Sequence, residues 1–216
     1  MLSTLENIIL RKPVNCEFIP LGMNCAPAHT LRKLGLRKSA LPLDWNVTPV
    51  SAAIDLIENN FEGFLDEENL SFLPSTPRLL FNEVGVELEM KNDIITPAYC
   101  KRYNILFPHD YPENHIQSIH LVKQKYNRRI TKFRELLNSS KQLIFIHSDG
   151  ALNDWQLEQY KAVGSEFVNN TGEWKNALSK TLSVKYPNLQ FNCLELPEFV
   201  QYMNMALSNV HAQANA

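Results

Sequence analysis

The sequence predicts an α/β protein, a single layered domain with a central, mostly parallel sheet and helices on both faces. Three observations carry this reading. Short apolar runs at 16–21, 143–146 and 189–194 read as buried strands. Amphipathic patterns over 115–138 and 171–186 read as helices, and strand-like and helix-like segments alternate along the chain. The length of 216 residues and a hydrophobic content of 44% suit one domain over 1–216, with a polar lead-in at 1–13 and a frayed tail at 211–216.

The elements follow in order. Cys16-Glu17-Phe18-Ile19-Pro20-Leu21 is a strand, Gly22 marks a tight turn, and a helix runs from Cys25 through Ala28, Leu31 and Leu34 to a stop at Gly35. Pro27 falls in its first turn, where a missing N–H is harmless. After a loop over 36–48, Thr48 is expected to cap a helix that starts at Pro49 and turns Ile54, Ile57 and Phe61 inward. Residues 66–80 are polar and proline-punctuated and read as surface loop. Asn82 to Met90 alternates like a half-buried strand.

The run Asn104 to Phe107 leads into Pro108-His109-Asp110. The long helix after it places Ile119, Val122, Tyr126, Ile130, Phe133 and Leu137 on one side. Leu143 to Ile146 is the clearest buried strand and ends in His147-Ser148-Asp149-Gly150. Asn153 caps a helix over 153–163, Trp174, Leu178 and Leu182 lie in register on the next, and Pro197 opens a closing helix.

A formal charge of -2 gives no basic face for nucleic acid. The basic cluster of Lys125, Arg128, Arg129 and Lys132 reads as the solvated side of a helix. No segment reaches the roughly 20 apolar residues that span a bilayer, so no membrane partner is expected. Met1 to Asn7 lacks the pattern of a signal peptide. Cys16, Cys25, Cys100 and Cys193 are scattered, so reduced thiols in the cytoplasm are the expectation, with neither a metal nor a cofactor called for.

In sheets of this kind ligands sit beyond the carboxyl ends of strands. Three polar clusters fall there: Gly22-Met23-Asn24-Cys25, Pro108-His109-Asp110 and His147-Ser148-Asp149. Cys25 opens a helix, where the dipole and unpaired N–H groups favour a thiolate and could hold an oxyanion, with Asn24 as an added donor. The plainer alternative is a packed cysteine acting as a small hydrophobe, which is how Cys16, Cys100 and Cys193 read.

A nucleophilic thiol needs an imidazole base, for which His109 is the first choice and His147 the second, with His29 one helical turn from Cys25. His115 and His120 read as surface. Asp44, Asp110 and Asp149 are candidates to orient the imidazole, and Asp44 and Trp45 could equally be structural.

Phe18-Ile19-Pro20-Leu21-Gly22-Met23-Asn24-Cys25, Leu31-Arg32 with Gly35-Leu36-Arg37, and Pro42-Leu43-Asp44-Trp45 together resemble a bacterial and viral family of unknown function described as papain-like cysteine peptidases. The family pattern is a Leu-Gly-x-Asn-Cys strand end, a Leu-Arg-x-x-Gly-Leu-Arg helix end and a Pro-Phe-Asp-Trp loop. Phe107-Pro108-His109-Asp110 and the Tyr126, Arg129, Ile130, Phe133 helix are similar to its later segments.

The resemblance spans roughly 16–150 and implies Cys25 as nucleophile, His109 as base and Asp110 or Asp44 as third member. Asn24 or N–H groups near Gly22 and Cys25 would form the oxyanion hole, and Trp45 and His147 would line the substrate site. The implied reaction is acyl transfer from a peptide, ester or glycan-linked substrate. The strand pattern predicts a layered sheet, not the papain arrangement of a helical half and an antiparallel barrel. The alternatives are an α/β enzyme handling a sugar or ester with a His109–Asp110 acid/base pair, and a non-catalytic binding module.

Overall fold

The computed structural model describes residues 15–81, 87–169 and 172–214. The elements in chain order are β1 (Cys16–Pro20), α1 (Ala26–Lys33), α2 (Val50–Glu58), a short 3-10 turn (Glu67–Asn69), β2 (Leu70–Phe72), β3 (Thr76–Phe81) and β4 (Glu87–Ile95). There follow β5 (Ala98–Cys100), β6 (Ile105–Phe107), α3 (His115–Leu137), β7 (Gln142–His147), α4 (Asp154–Ala162), α5 (Trp174–Lys185), β8 (Gln190–Glu195) and α6 (Leu196–Ala214).

The principal sheet has the order β1-β7-β8 and is parallel throughout, with Phe18 opposite Ile144 and Ile144 opposite Asn192. Alternation along the strands divides its side chains between two faces. Phe18, Ile144, Ile146 and Leu194 pack with Leu31 of α1 and Phe199 of α6. Ile19, Leu21, Leu143 and Phe145 pack on the other face with residues of α2, α3 and α5. The expected layered α/β arrangement is therefore present, and among the described residues no strands close into a barrel.

The remaining strands are antiparallel. β2-β5-β6 form a small sheet and β3-β4 a separate hairpin. The expectation of surface loop over 66–80 is corrected here, because β2 and β3 both lie in that span. Pro77 at the start of β3 obscured its strand pattern. Residues 1–13 and 82–86 lie outside the described residues, and α6 carries 211–214 of the expected frayed tail as helix.

Helix ends follow local chemistry. Gly35 at φ +68 follows α1, with its N–H donating to Arg32 O and the Leu36 N–H to Leu31 O, so the last carbonyls are satisfied. Asn153 and Gln156 exchange side-chain bonds with each other's backbone N–H in a capping box on α4. Thr48 does not cap α2: Pro49 takes that position and Thr48 Oγ1 is buried without a partner among the described residues.

Candidate active site

β1 ends as expected in a tight turn. Leu21 N–H still bonds Ile146 O at 2.9 Å, and then Gly22 and Met23 both take positive φ, +84° and +72°. A Cβ on Gly22 would sit 2.7 Å from Thr48 Cβ, so both the conformation and the space require glycine. Met23 is not a glycine, and its left-handed backbone costs about 1–2 kcal/mol. Burial of its side chain and the 2.9 Å bond from its N–H to Thr48 O hold it there. This turn delivers Cys25 to the N-cap of α1.

The charge environment of Cys25 reverses one expectation. Burial pushes its thiol up to about 12, and the carboxylates of Asp110 and Asp44 add to the effect. The helix start offers little opposition. α1 has only eight residues, Pro27 carries no N–H, and the Ala26 N–H already donates to Asn24 Oδ1 at 2.9 Å. The resting thiol is protonated. Asn24 Nδ2 points instead toward the strand-end loop at Gly150, about 3.8 Å from where a Cβ there would lie.

Asp44 is buried at 1% exposure. Its Oδ2 accepts from Arg37 Nε and from the Leu41 N–H, each at 2.9 Å, while Oδ1 is buried without a partner among the described residues. Burial raises its pKa against the pull of Leu41, Arg37 and Arg129. The Arg37 guanidinium also lies over the Trp45 ring, 5.4 Å from its centroid, so one cation braces both residues of the Asp44-Trp45 pair.

Asp110 acts on the Cys25 thiol from the segment that follows β6. Its Oδ1 accepts from Lys125 Nζ, and its Oδ2 lies 2.8 Å from Tyr126 Oη, which is also 2.7 Å from Asn46 Oδ1. Asn46 Nδ2 donates to Pro42 O at 2.8 Å, which ties this network to the loop carrying Asp44. Lys125 is thus part of the site and not of a solvated face, and Arg129 packs its guanidinium 5.1 Å from the Tyr126 centroid.

His109 is half-buried, and its Nδ1 is buried with no partner among the described residues, so neither Asp110 nor Cys25 bonds that nitrogen. Burial lowers its pKa, with Asp110 opposing and Arg78 reinforcing, so the ring is neutral at pH 7. Asp110 and Asp44 thus lie within electrostatic range of Cys25, and His109 precedes Asp110 in the chain. Gly22 and Asn24 shape the turn, Trp45 stands on Arg37, and His29 is exposed on α1.

His147 lies at the end of β7, fully buried. Its Nδ1 faces Glu195 Oε2 at 3.4 Å across the β7–β8 register, and Trp174 Nε1 donates to Glu195 Oε1. The His147 and Trp174 ring centroids are 5.3 Å apart. Burial lowers the His147 pKa, opposed by Glu195, Asp149 and Asn169.

Glu195, Trp174, Lys125 and Asn46 were missed from sequence. Glu195 did leave a signal, because Phe191, Cys193 and Glu195 alternate and put a carboxylate in an apolar register. Among the described residues, no three His, Cys, Asp or Glu side chains gather as metal ligands do. No helix among them is long and apolar enough to cross a membrane.

A family model described as "Putative papain-like cysteine peptidase (DUF1796)" matches residues 16–184. The chain belongs to this family. The matched span holds the Cys25 turn, the Asp44 loop, the His109-Asp110 segment and His147. Glu195 lies beyond it. An uncharacterized protein of Acanthamoeba polyphaga mimivirus, R408, is 31% identical over 140 residues, covering 61% of this chain and 61% of the viral protein. No solved structure matches.

Proposed function

We propose that this family member is a cysteine-dependent acyl-transfer enzyme, a hydrolase or acyltransferase of the cysteine-peptidase type, with Cys25 as nucleophile and His109 as base. One observation supports the reading: after burial, the Asp110 carboxylate is the leading group acting on the Cys25 thiol, so the His109-Asp110 segment lies within electrostatic range of the helix start that holds the sulfur.

With thiol and imidazole both neutral at rest, the proton leaves Sγ as the sulfur attacks. His109 takes it and returns it to the leaving group, and water or another acceptor then cleaves the thioester. The Cys25 N–H is the nearest helix-start donor for the oxyanion, since Ala26 N–H is held by Asn24 and Pro27 has none. Asp44 and Asp110 brace the surrounding loops, and Asp44, with one free carboxylate oxygen, is the better placed of the two to accept a further bond.

The test is acylation by an activated ester, read by mass spectrometry on the Cys25 peptide and by turnover. The wild type acquires the adduct, Cys25→Ser does not, and His109→Ala slows acylation by about 10²-fold or more. The high thiol pKa favours a second reading, in which Cys25 packs and the His109–Asp110 pair does acid/base chemistry on a sugar or ester. Retained turnover in Cys25→Ser with loss in His109→Ala selects it.

A further inference from the structure

At the carboxyl ends of the parallel strands a cleft of about 350 Å³ opens beside the Cys25 turn, within the size range of small-molecule sites. Leu152, Leu157 and Phe167 supply its apolar walls, and Asp149, Gly150 and Asn169 its polar ones. Leu152 and Phe167 rest on the small core around Val47 and Tyr160, and Asn169 is held by accepting from the Val50 N–H at 3.1 Å. A Cβ on Gly150 would lie 3.8 Å from Asn24 Nδ2, and Asn24 Oδ1 reaches past Cys25 to the Ala26 N–H. One side chain therefore links the cleft to the turn that bears the sulfur.

The charge of this cleft is one-sided. Every lining residue comes from the segment 149–169, which carries Asp149, Asp154, Glu158 and Glu166 against Lys161 alone, in a chain whose formal charge is only -2. Asp149 lines the cleft itself, is exposed, and has no cation paired with it among the described residues. The start of α4, which follows Leu152, offers no anion site in compensation. Its Asn153 N–H donates to Gln156 Oε1 at 3.1 Å and its Gln156 N–H to Asn153 Oδ1 at 2.9 Å, so the capping box uses both donors. An apolar body ending in a positive charge fits such a cleft, and an anion would meet the Asp149 carboxylate.

We propose that this cleft is a substrate subsite for a lysine- or arginine-like side chain, whose carbon stem packs along Leu152, Leu157 and Phe167 and whose cation pairs with the Asp149 carboxylate. The subsite deepens the acyl-transfer reading by naming the side chain held beside Cys25. It rests on that reading only for its part in turnover, because binding can be measured without chemistry.

The experiment titrates the isotopically labelled protein with the α-amides of N-acetyl-lysine, N-acetyl-norleucine and N-acetyl-glutamate and follows its amide chemical shifts. The lysine compound is expected to bind about threefold to fivefold more tightly than the norleucine compound at low salt. Its shifts centre on Gly150 and the Asn169 side chain, and the advantage closes at about 1 M salt. The glutamate compound binds more weakly than both. Asp149→Asn removes the advantage of lysine over norleucine, and Asp149→Lys reverses the order of lysine and glutamate. Asp149 is exposed, so neither substitution disturbs packing. Equal wild-type affinities for the lysine and norleucine compounds overturn the proposal, as does a lysine preference that survives Asp149→Asn, or shifts that fall outside the cleft. Cys25→Ser keeps the binding preference, so absence of any acylation by an activated ester would sink the thiol chemistry and leave the subsite standing.

Discussion

Tyr126 Oη lies 2.8 Å from Asp110 Oδ2, and Lys125 Nζ bonds the other oxygen, so both oxygens of the Asp110 carboxylate are engaged by α3. The residue next to the imidazole in sequence is thus held by the long helix and not by its neighbour. Tyr126→Phe strips a donor from two buried or half-buried acceptors, Asp110 Oδ2 and Asn46 Oδ1. The expected loss is about 1–3 kcal/mol of unfolding free energy, read from urea denaturation.

The Gly22 turn has no room for a side chain. Gly22→Ala places a methyl 2.7 Å from Thr48 Cβ at a φ of +84°, so it is expected to destabilise by about 2 kcal/mol or more. Because the same turn positions Cys25, its alkylation rate should change as well. Asn153→Ala, which removes the cap of α4 at a cost of about 1 kcal/mol, should leave that rate unchanged.

Cys25 should react as a protonated thiol. Its iodoacetamide rate is expected to keep rising well above pH 9, the thiol being pushed up to about 12. A carboxylate beside a thiol disfavours the thiolate, so Asp110→Asn should shift the profile to lower pH and speed alkylation at pH 9. An unshifted profile would contradict the placement of Asp110 beside the sulfur.

Both ends of the pH scale should reveal the buried groups. Burial lowers the His109 and His147 pKa values below that of an unfolded histidine, about 6.5. As pH falls through that value the unfolded chain takes up protons that the native chain does not, so stability falls with acidification. Buried Cys16 works in the opposite direction. Its thiol is pushed up to about 11, so the unfolded chain releases the proton first and stability falls as pH rises from about 8.5 toward 11. Urea midpoints at pH 5.5, 7.5 and 10 check both signs, and His147→Asn should flatten the acid limb.

Much of this was legible in the chain. The apolar run 143–146, the periodic face of 115–137 and the Gly22 and Gly35 turns each obey a local rule, and each forms as that rule dictates. What was not legible depends on pairing at a distance. β3 needs β4 to be a strand, and its own composition, with Pro77, reads as loop. At the site, sequence selected Cys25, Asp44 and Asp110 by type and position. That Asp110 faces Lys125 and Tyr126, and that Glu195 meets His147, follow from helix packing and from the β7–β8 register, which no short window encodes.

The β1–β7 pairing has a consequence for how the protein is made. Cys16 lies opposite Gln142, and among the described residues β1 has no other neighbour in its sheet. A ribosome must therefore deliver most of the chain before the first strand can settle, a contact of long sequence separation that slows folding. Until then the Cys25 turn has no strand to project from, so the nascent chain carries an unformed site and an unpaired apolar segment, which a chaperone could bind.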